Sequence, residues 1–215
     1  MHLAVYGGTF DPPHNGHLAL CLFARELLAI DKLIISVSNS PLKQNREADD
    51  VHRMHLAELI STEINRTGSS CEVSRWELEK QQPSYTVDLL RYLHACFPHD
   101  RLTLLVGEDS FREFSSWKEY KKLFVLCDVV VFRRSSTAMS RFPGFPPDDL
   151  HSREATRFID FAYPVSSTEV RELECAGTSI SRLVPASVHR YITRHALYHR
   201  HLSSTSTQGQ KRQES

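Results

Sequence analysis

Two histidines three residues apart, His14 and His17, stand behind a pair of glycines in the stretch GGTFDPPHNGH, residues 7–17. Imidazoles so spaced at the start of a helix present both rings on one side. Near a phosphoryl group they can donate hydrogen bonds to oxygens whose charge grows during transfer. Gly7 and Gly8 let backbone N–H groups approach an anion closely. The N-terminus of a following helix would add partial positive charge and free donors. Gly16, between the histidines, leaves room for a ligand. No nearby cysteine or carboxylate pattern completes a zinc set, so the stretch reads as an anion pocket. A plain turn would explain Pro12 and Pro13, but not paired glycines with paired histidines. The fingerprints G-x-G-x-x-G and G-x-x-x-x-G-K-[ST] are not in the chain.

A site of this kind needs a strand to deliver the glycines and a helix to carry the histidines. HLAVY, residues 2–6, has the short apolar pattern of a buried strand. Residues 15–29 place Leu18, Leu22, Phe23 and Leu27 on one helical face. KLIISVS, residues 32–38, is the next strand, which makes a parallel pair with a right-handed crossover. The alternation continues: helix 48–64, strand 71–78, helix 85–97, strand 101–106, helix 117–126, strands 128–132 and 157–162, and closing helices 167–176 and 185–196. Such alternation predicts an α/β, Rossmann-like, doubly wound, mostly parallel sheet with helices on both faces and a small helical C-terminal part. Residues 1–200 read as a single domain. The proline-rich stretch 140–152 reads as a surface loop, and 201–215 as a disordered polar tail.

Composition narrows the classes. Lys plus Arg equal Asp plus Glu, 26 against 26 in 215 residues, so no general nucleic-acid-binding surface is expected. Five scattered cysteines without a C-x-x-C pair read as reduced and structural, the pattern of a cytoplasmic protein. No secretory leader and no membrane-spanning run are expected. A homo-oligomer is left open.

HNGH resembles the H-x-G-H element of the nucleotidylyltransferase superfamily. The whole opening resembles the G-G-T-F-D-P-x-H-x-G-H of bacterial nicotinate mononucleotide adenylyltransferases. Further pieces match that family in order: NSPLK at 39–43, PSYTVDLL at 83–90, GEDSFREFSSWKEYKKL at 107–123, FRR at 132–134, VSSTEVR at 165–171 and LVPASVHRYITRHALY at 183–198. Leu42 and Ser40 depart from the family's P-P-H-K loop, Asp88 and Leu89 stand near a usual threonine, and Glu108 replaces a small or amide residue.

The resemblance implies transfer of the adenylyl group of ATP to nicotinate mononucleotide in NAD biosynthesis. His14, His17 and Lys43 would be catalytic. ATP would meet Gly7, Gly8, Thr9, Phe10 and both histidines. Its ribose or metal would lie near Asp109, and its triphosphate tail on Ser167, Thr168 and Arg171. The mononucleotide would meet Lys43, Ser84, Tyr85, Thr86, Trp117 and, of two adjacent arginines, Arg133 rather than Arg134. Mg2+ would arrive with ATP. Trp117 reads equally as a core aromatic, Ser167 and Ser84 as helix caps, and Asp11 as a turn residue outside the chemistry. The same residues leave open a relative using nicotinamide mononucleotide or another phosphate acceptor, and a non-catalytic nucleotide sensor.

Overall fold

A computed structural model describes residues 1–40, 46–68, 70–80, 83–134 and 154–199. The readings of 140–152 and 201–215, and Lys43 with its loop, lie outside these residues. Strands β1 (His2–Gly8), β2 (Lys32–Val37), β3 (Ser70–Ser74), β4 (Arg101–Gly107), β5 (Asp128–Arg133) and β6 (Thr156–Asp160) form one sheet. Its order is β3-β2-β1-β4-β5-β6, with every neighbouring pair parallel. The direction of winding reverses between β1 and β4, and a crevice opens there at the carboxyl edge.

The inner strands serve two cores, because successive side chains point to opposite faces. Ala4 and Tyr6 of β1 pack with Leu20 and Ala24 of α1 (Asn15–Leu28) and with Leu56 and Ile60 of α2 (Asp50–Asn65). Val170 of α7 (Ser167–Cys175) and Ile192 of α8 (Ala186–Arg194) join that face. Leu3 and Val5 turn to the other face, with Leu90 of α4 (Thr86–Cys96) and Phe124 of α6 (Tyr120–Leu126). Burial on both faces explains why these strands are near-continuous apolar runs.

Two expected elements differ. The strand expected over 71–78 ends at Ser74, and the chain turns into the short helix α3 (Trp76–Glu79). The helix expected over 117–126 begins only at Tyr120. Before it come the short helix α5 (Glu108–Arg112) and a 3-10 turn, Phe114–Ser116. Trp117 itself is extended, its ring 4.7 Å from that of Phe114. A tertiary contact, not helical periodicity, places it. No helix among the described residues is long and apolar enough to cross a membrane.

Candidate active site

A cavity of about 350 Å3 occupies the crevice between the ends of β1 and β4. Gly7, Gly8 and Thr9 form one wall, and Asp109, at the start of α5, lies on another. A Cβ on Gly7 would meet no atom within 4 Å, so its backbone faces open space. Gly8 has a different reason to lack a side chain: a Cβ there would lie 3.1 Å from the Phe10 ring. Phe10 takes a left-handed backbone, φ 50°, and is buried against Tyr6 and His17. It therefore supports the histidine from behind and does not line the cavity, contrary to the role expected for it.

His14 and His17 come together as expected, with ring centroids 3.7 Å apart. The His14 backbone N–H donates to Nδ1 of His17 at 3.1 Å. A neutral His17 must then carry its proton on Nε2, which makes that nitrogen a donor. Burial pushes the His14 imidazole down to about 4, helped by the charge of Arg134. Its ring is neutral at neutral pH, and its buried Nδ1 has no hydrogen-bond partner among the described residues. Gly16 lines the cavity and has a second reason to lack a side chain. A Cβ there would meet the His14 ring and Val165 at 3.0 Å, so the missing side chain makes space for the imidazole.

The first turn of α1 offers less than the sequence suggests. The Asn15 N–H donates to the Leu183 carbonyl, and the His17 N–H to the His14 carbonyl. Two of the first backbone donors are thus already engaged within the protein. Asp11 has the structural role expected of it. Its buried carboxylate accepts from the backbone of Glu47 and Ala48 and from the Tyr198 hydroxyl at 2.7 Å, binding the turn to two distant segments. Arg53, fully buried on α2, donates to the carbonyls of Thr9 and Ser38 and so ties the ends of β1 and β2.

At the far wall, Ser167 lines the cavity and donates to the Pro12 carbonyl at 2.9 Å. Thr168 and Arg171 do not line it. Arg171 donates to Glu47, to the Asp11 carbonyl and to the Thr168 hydroxyl, so it braces the opening turn. The choice between the two arginines after β5 is reversed. Arg133 pairs with Asp160 on β6 at 2.7 Å and lies over the Phe158 ring. Arg134 lines the cavity and pairs with Asp109 at 2.9 Å. Strand parity is the reason: Val129 and Val131 face the α4 side and Val130 and Phe132 the α1 side, so residue 134 continues toward the histidines.

Tyr85, Thr86 and Trp117 line the remaining wall, where α4 begins. Lys118, not anticipated, lies with its ammonium 4.6 Å from the centre of the Tyr85 ring and 3.2 Å from Asp88. Ser84 is buried with its hydroxyl 2.6 Å from Glu77, so it does not face the cavity as expected. Glu77, also unanticipated, does line it. Among the described residues no three His, Cys, Asp or Glu side chains converge to hold a metal. The five cysteines are unpaired.

A parallel sheet that reverses at a crevice lined by glycines, imidazoles and an arginine defines a nucleotide-handling α/β protein. Residues 5–173 match the family model for cytidylyltransferase-like proteins. The chain is 62% identical over 198 residues to the "probable nicotinate-nucleotide adenylyltransferase" of Pelodictyon phaeoclathratiforme, covering 92% of each protein. It is 54% identical to the protein of that name from Chlorobium limicola, over 92% of this chain and 98% of the other. In shape it is similar to Plasmodium falciparum nicotinic acid mononucleotide adenylyltransferase complexed with NaAD, with a TM-score of 0.70 over 92% and 97% of the two chains at 19% identity. The chain belongs to the nicotinate-nucleotide adenylyltransferases of the cytidylyltransferase-like family.

Proposed function

We propose that this chain joins ATP to nicotinate mononucleotide, giving nicotinate adenine dinucleotide and pyrophosphate. An oxygen of the mononucleotide phosphate attacks the α-phosphorus of ATP. The bond from that phosphorus to the bridging oxygen breaks, and pyrophosphate leaves with the electron pair. The attacking oxygen is already ionised near neutral pH, so the protein's work is to align two polyanions and relieve their repulsion. The closely paired imidazoles at the crevice carry this reading.

Nε2 of His17 donates to an α-phosphoryl oxygen as its charge grows. His14, neutral and buried beside it, holds that ring in place and gains proton affinity as phosphate arrives. Arg134 exchanges Asp109 for phosphate, a partner its planar fork fits. Lys43 is proposed to reach the phosphates from its loop. Gly7, Gly8 and Thr9 approach the adenylate, with Ser167 across from them. The start of α4, with Tyr85, Thr86 and the Lys118 ammonium, suits the nicotinate carboxylate, and Trp117 offers a ring face to the pyridine. Mg2+ would enter on the triphosphate, with the exposed Asp109 carboxylate on the cavity wall as a protein oxygen that could serve it. Bound, it would shield charge on the leaving pyrophosphate. We place the reaction in the cytoplasm.

Pyrophosphate release from ATP–Mg2+ tests the reading with nicotinate mononucleotide, nicotinamide mononucleotide and phosphopantetheine as separate acceptors. Release with the acid is expected. Release with the amide alone overturns the acid substrate, and release with none points to a nucleotide-sensing protein.

A further inference from the structure

Glu77 is a buried carboxylate on the cavity wall, 4% exposed, that the reaction above does not use. It reaches there because β3 stops at Ser74 and α3 turns the chain back toward the end of β2. One carboxylate oxygen accepts from the Ser36 hydroxyl at 2.7 Å. The other accepts from the Ser84 hydroxyl at 2.6 Å and from the Asn39 N–H at 3.3 Å. A buried carboxylate with hydroxyl and amide donors on both oxygens is held in one place.

The two arms lead to different parts of the site. Ser36 pairs with Gly7 in the sheet register, so the first arm is anchored to the strand beside the glycine turn. Ser84 stands directly before Tyr85 and Thr86, where α4 begins and where both line the cavity. Its backbone N–H also reaches the Asn39 carbonyl, at 3.4 Å. Neither β2 nor β1 is covalently near α4, so their relative position depends on contacts of this kind. We propose that Glu77 is a positioning residue that sets the start of α4 against the β1 edge and thereby fixes where the pyridine end of the mononucleotide sits relative to the histidines. This rests on the acceptor reading given above. Glu77 acts through Ser84 rather than by touching substrate.

Three variants separate positioning from mere packing: Glu77→Gln, which keeps the volume but cannot accept from all three donors, Ser84→Ala and Ser36→Ala. Each serine variant removes one hydroxyl from the same carboxylate, so their thermal stabilities should fall alike. Ser84→Ala and Glu77→Gln should raise KM for the mononucleotide by about tenfold, the scale of one buried hydrogen bond, and Ser36→Ala, which cuts the other arm, should raise it as well. KM for ATP should stay within about threefold in all three variants, whereas a loss of packing alone would leave both constants unchanged. The Glu77→Gln/Ser84→Ala double variant should show no greater rise than the larger single one, because both cut one path. An unchanged mononucleotide KM in Ser84→Ala, a rise in the ATP constant instead, or a lower mononucleotide KM in Glu77→Gln would overturn the inference. Amide hydrogen exchange gives an arm independent of turnover. In Ser84→Ala, the amides of residues 84–89 should exchange faster than in wild type while those of β1 do not, and unchanged exchange at 84–89 refutes the positioning role. A wild type that releases no pyrophosphate with nicotinate mononucleotide refutes the acceptor reading instead and leaves the exchange result to decide this one.

Discussion

A single methyl group at Gly16 tests whether the placement of His14, and not only its presence, matters to turnover. On the observed backbone the added Cβ would lie 3.0 Å from Cε1 and Nδ1 of His14 and 3.0 Å from Cγ1 of Val165. Carbon atoms rest at roughly 3.5 Å or more, so ring or valine must yield by about 0.5 Å. The ring has little freedom, since it is buried with the His17 ring 3.7 Å away. Overpacking of this kind costs about 1–3 kcal/mol. Alanine recovers up to about 1 kcal/mol over glycine in helical backbone. The net loss is about 0–3 kcal/mol, which lowers the Tm of a protein this size by at most about 12 °C. Turnover should suffer out of proportion. A displacement of about 1 Å at a reacting centre costs about a hundredfold, so half that should lower kcat about tenfold or more. Pyrophosphate release at saturating ATP and mononucleotide, read beside a thermal melt, measures both quantities. A folded Gly16→Ala protein with kcat within twofold of wild type would refute the claim that the imidazole must be held where it is.

Other substitutions have distinct signatures. His17→Ala should lower kcat by about a hundredfold or more, the scale of one lost transition-state donor, with smaller changes in KM. Arg134→Ala should raise KM for a phosphate-bearing substrate by about ten- to a hundredfold, as expected for a charge-assisted contact. Arg133→Ala should lower thermal stability, because it breaks the pair with Asp160, and leave KM near wild type. Tyr198→Phe removes one of the donors on Asp11, and urea unfolding should show a loss of about 1–2 kcal/mol. His14 titrates near 4 in the folded protein because of burial and Arg134, against about 6.5 when unfolded. Between those values the unfolded chain binds the proton and the folded chain does not. Stability therefore rises with pH through this window, and His14 should make the protein about 2 kcal/mol less stable at pH 5 than at pH 7. Unfolding free energies from urea titrations at the two pH values should converge in His14→Gln by that amount.

The order of strands and helices could be read along the chain, because each apolar run of about five residues and each amphipathic stretch between runs has a local cause. That order already places Gly7, Gly8, His14 and His17 at one carboxyl edge. The roles of several neighbours could not be read there. DVVVF is apolar on both faces, so its letters carry no parity, and only packing against α1 and α4 shows that Arg134 faces the cavity while Arg133 turns to Asp160. Ser84 and Arg171 carry donors that suit a ligand as well as they suit Glu77 or Glu47, and the chain's return from far along the sequence decides between them. Glu77 was hidden because residues 71–78 alternate like a strand, and the turn at Trp76 that swings its carboxylate under the cavity is paid for by tertiary contacts. Local periodicity thus determined which elements form and which edge holds the imidazoles. Which polar group bonds to protein and which to a ligand depends on partners up to 187 residues away, such as Asp11 and Tyr198, and only the folded chain brings them together.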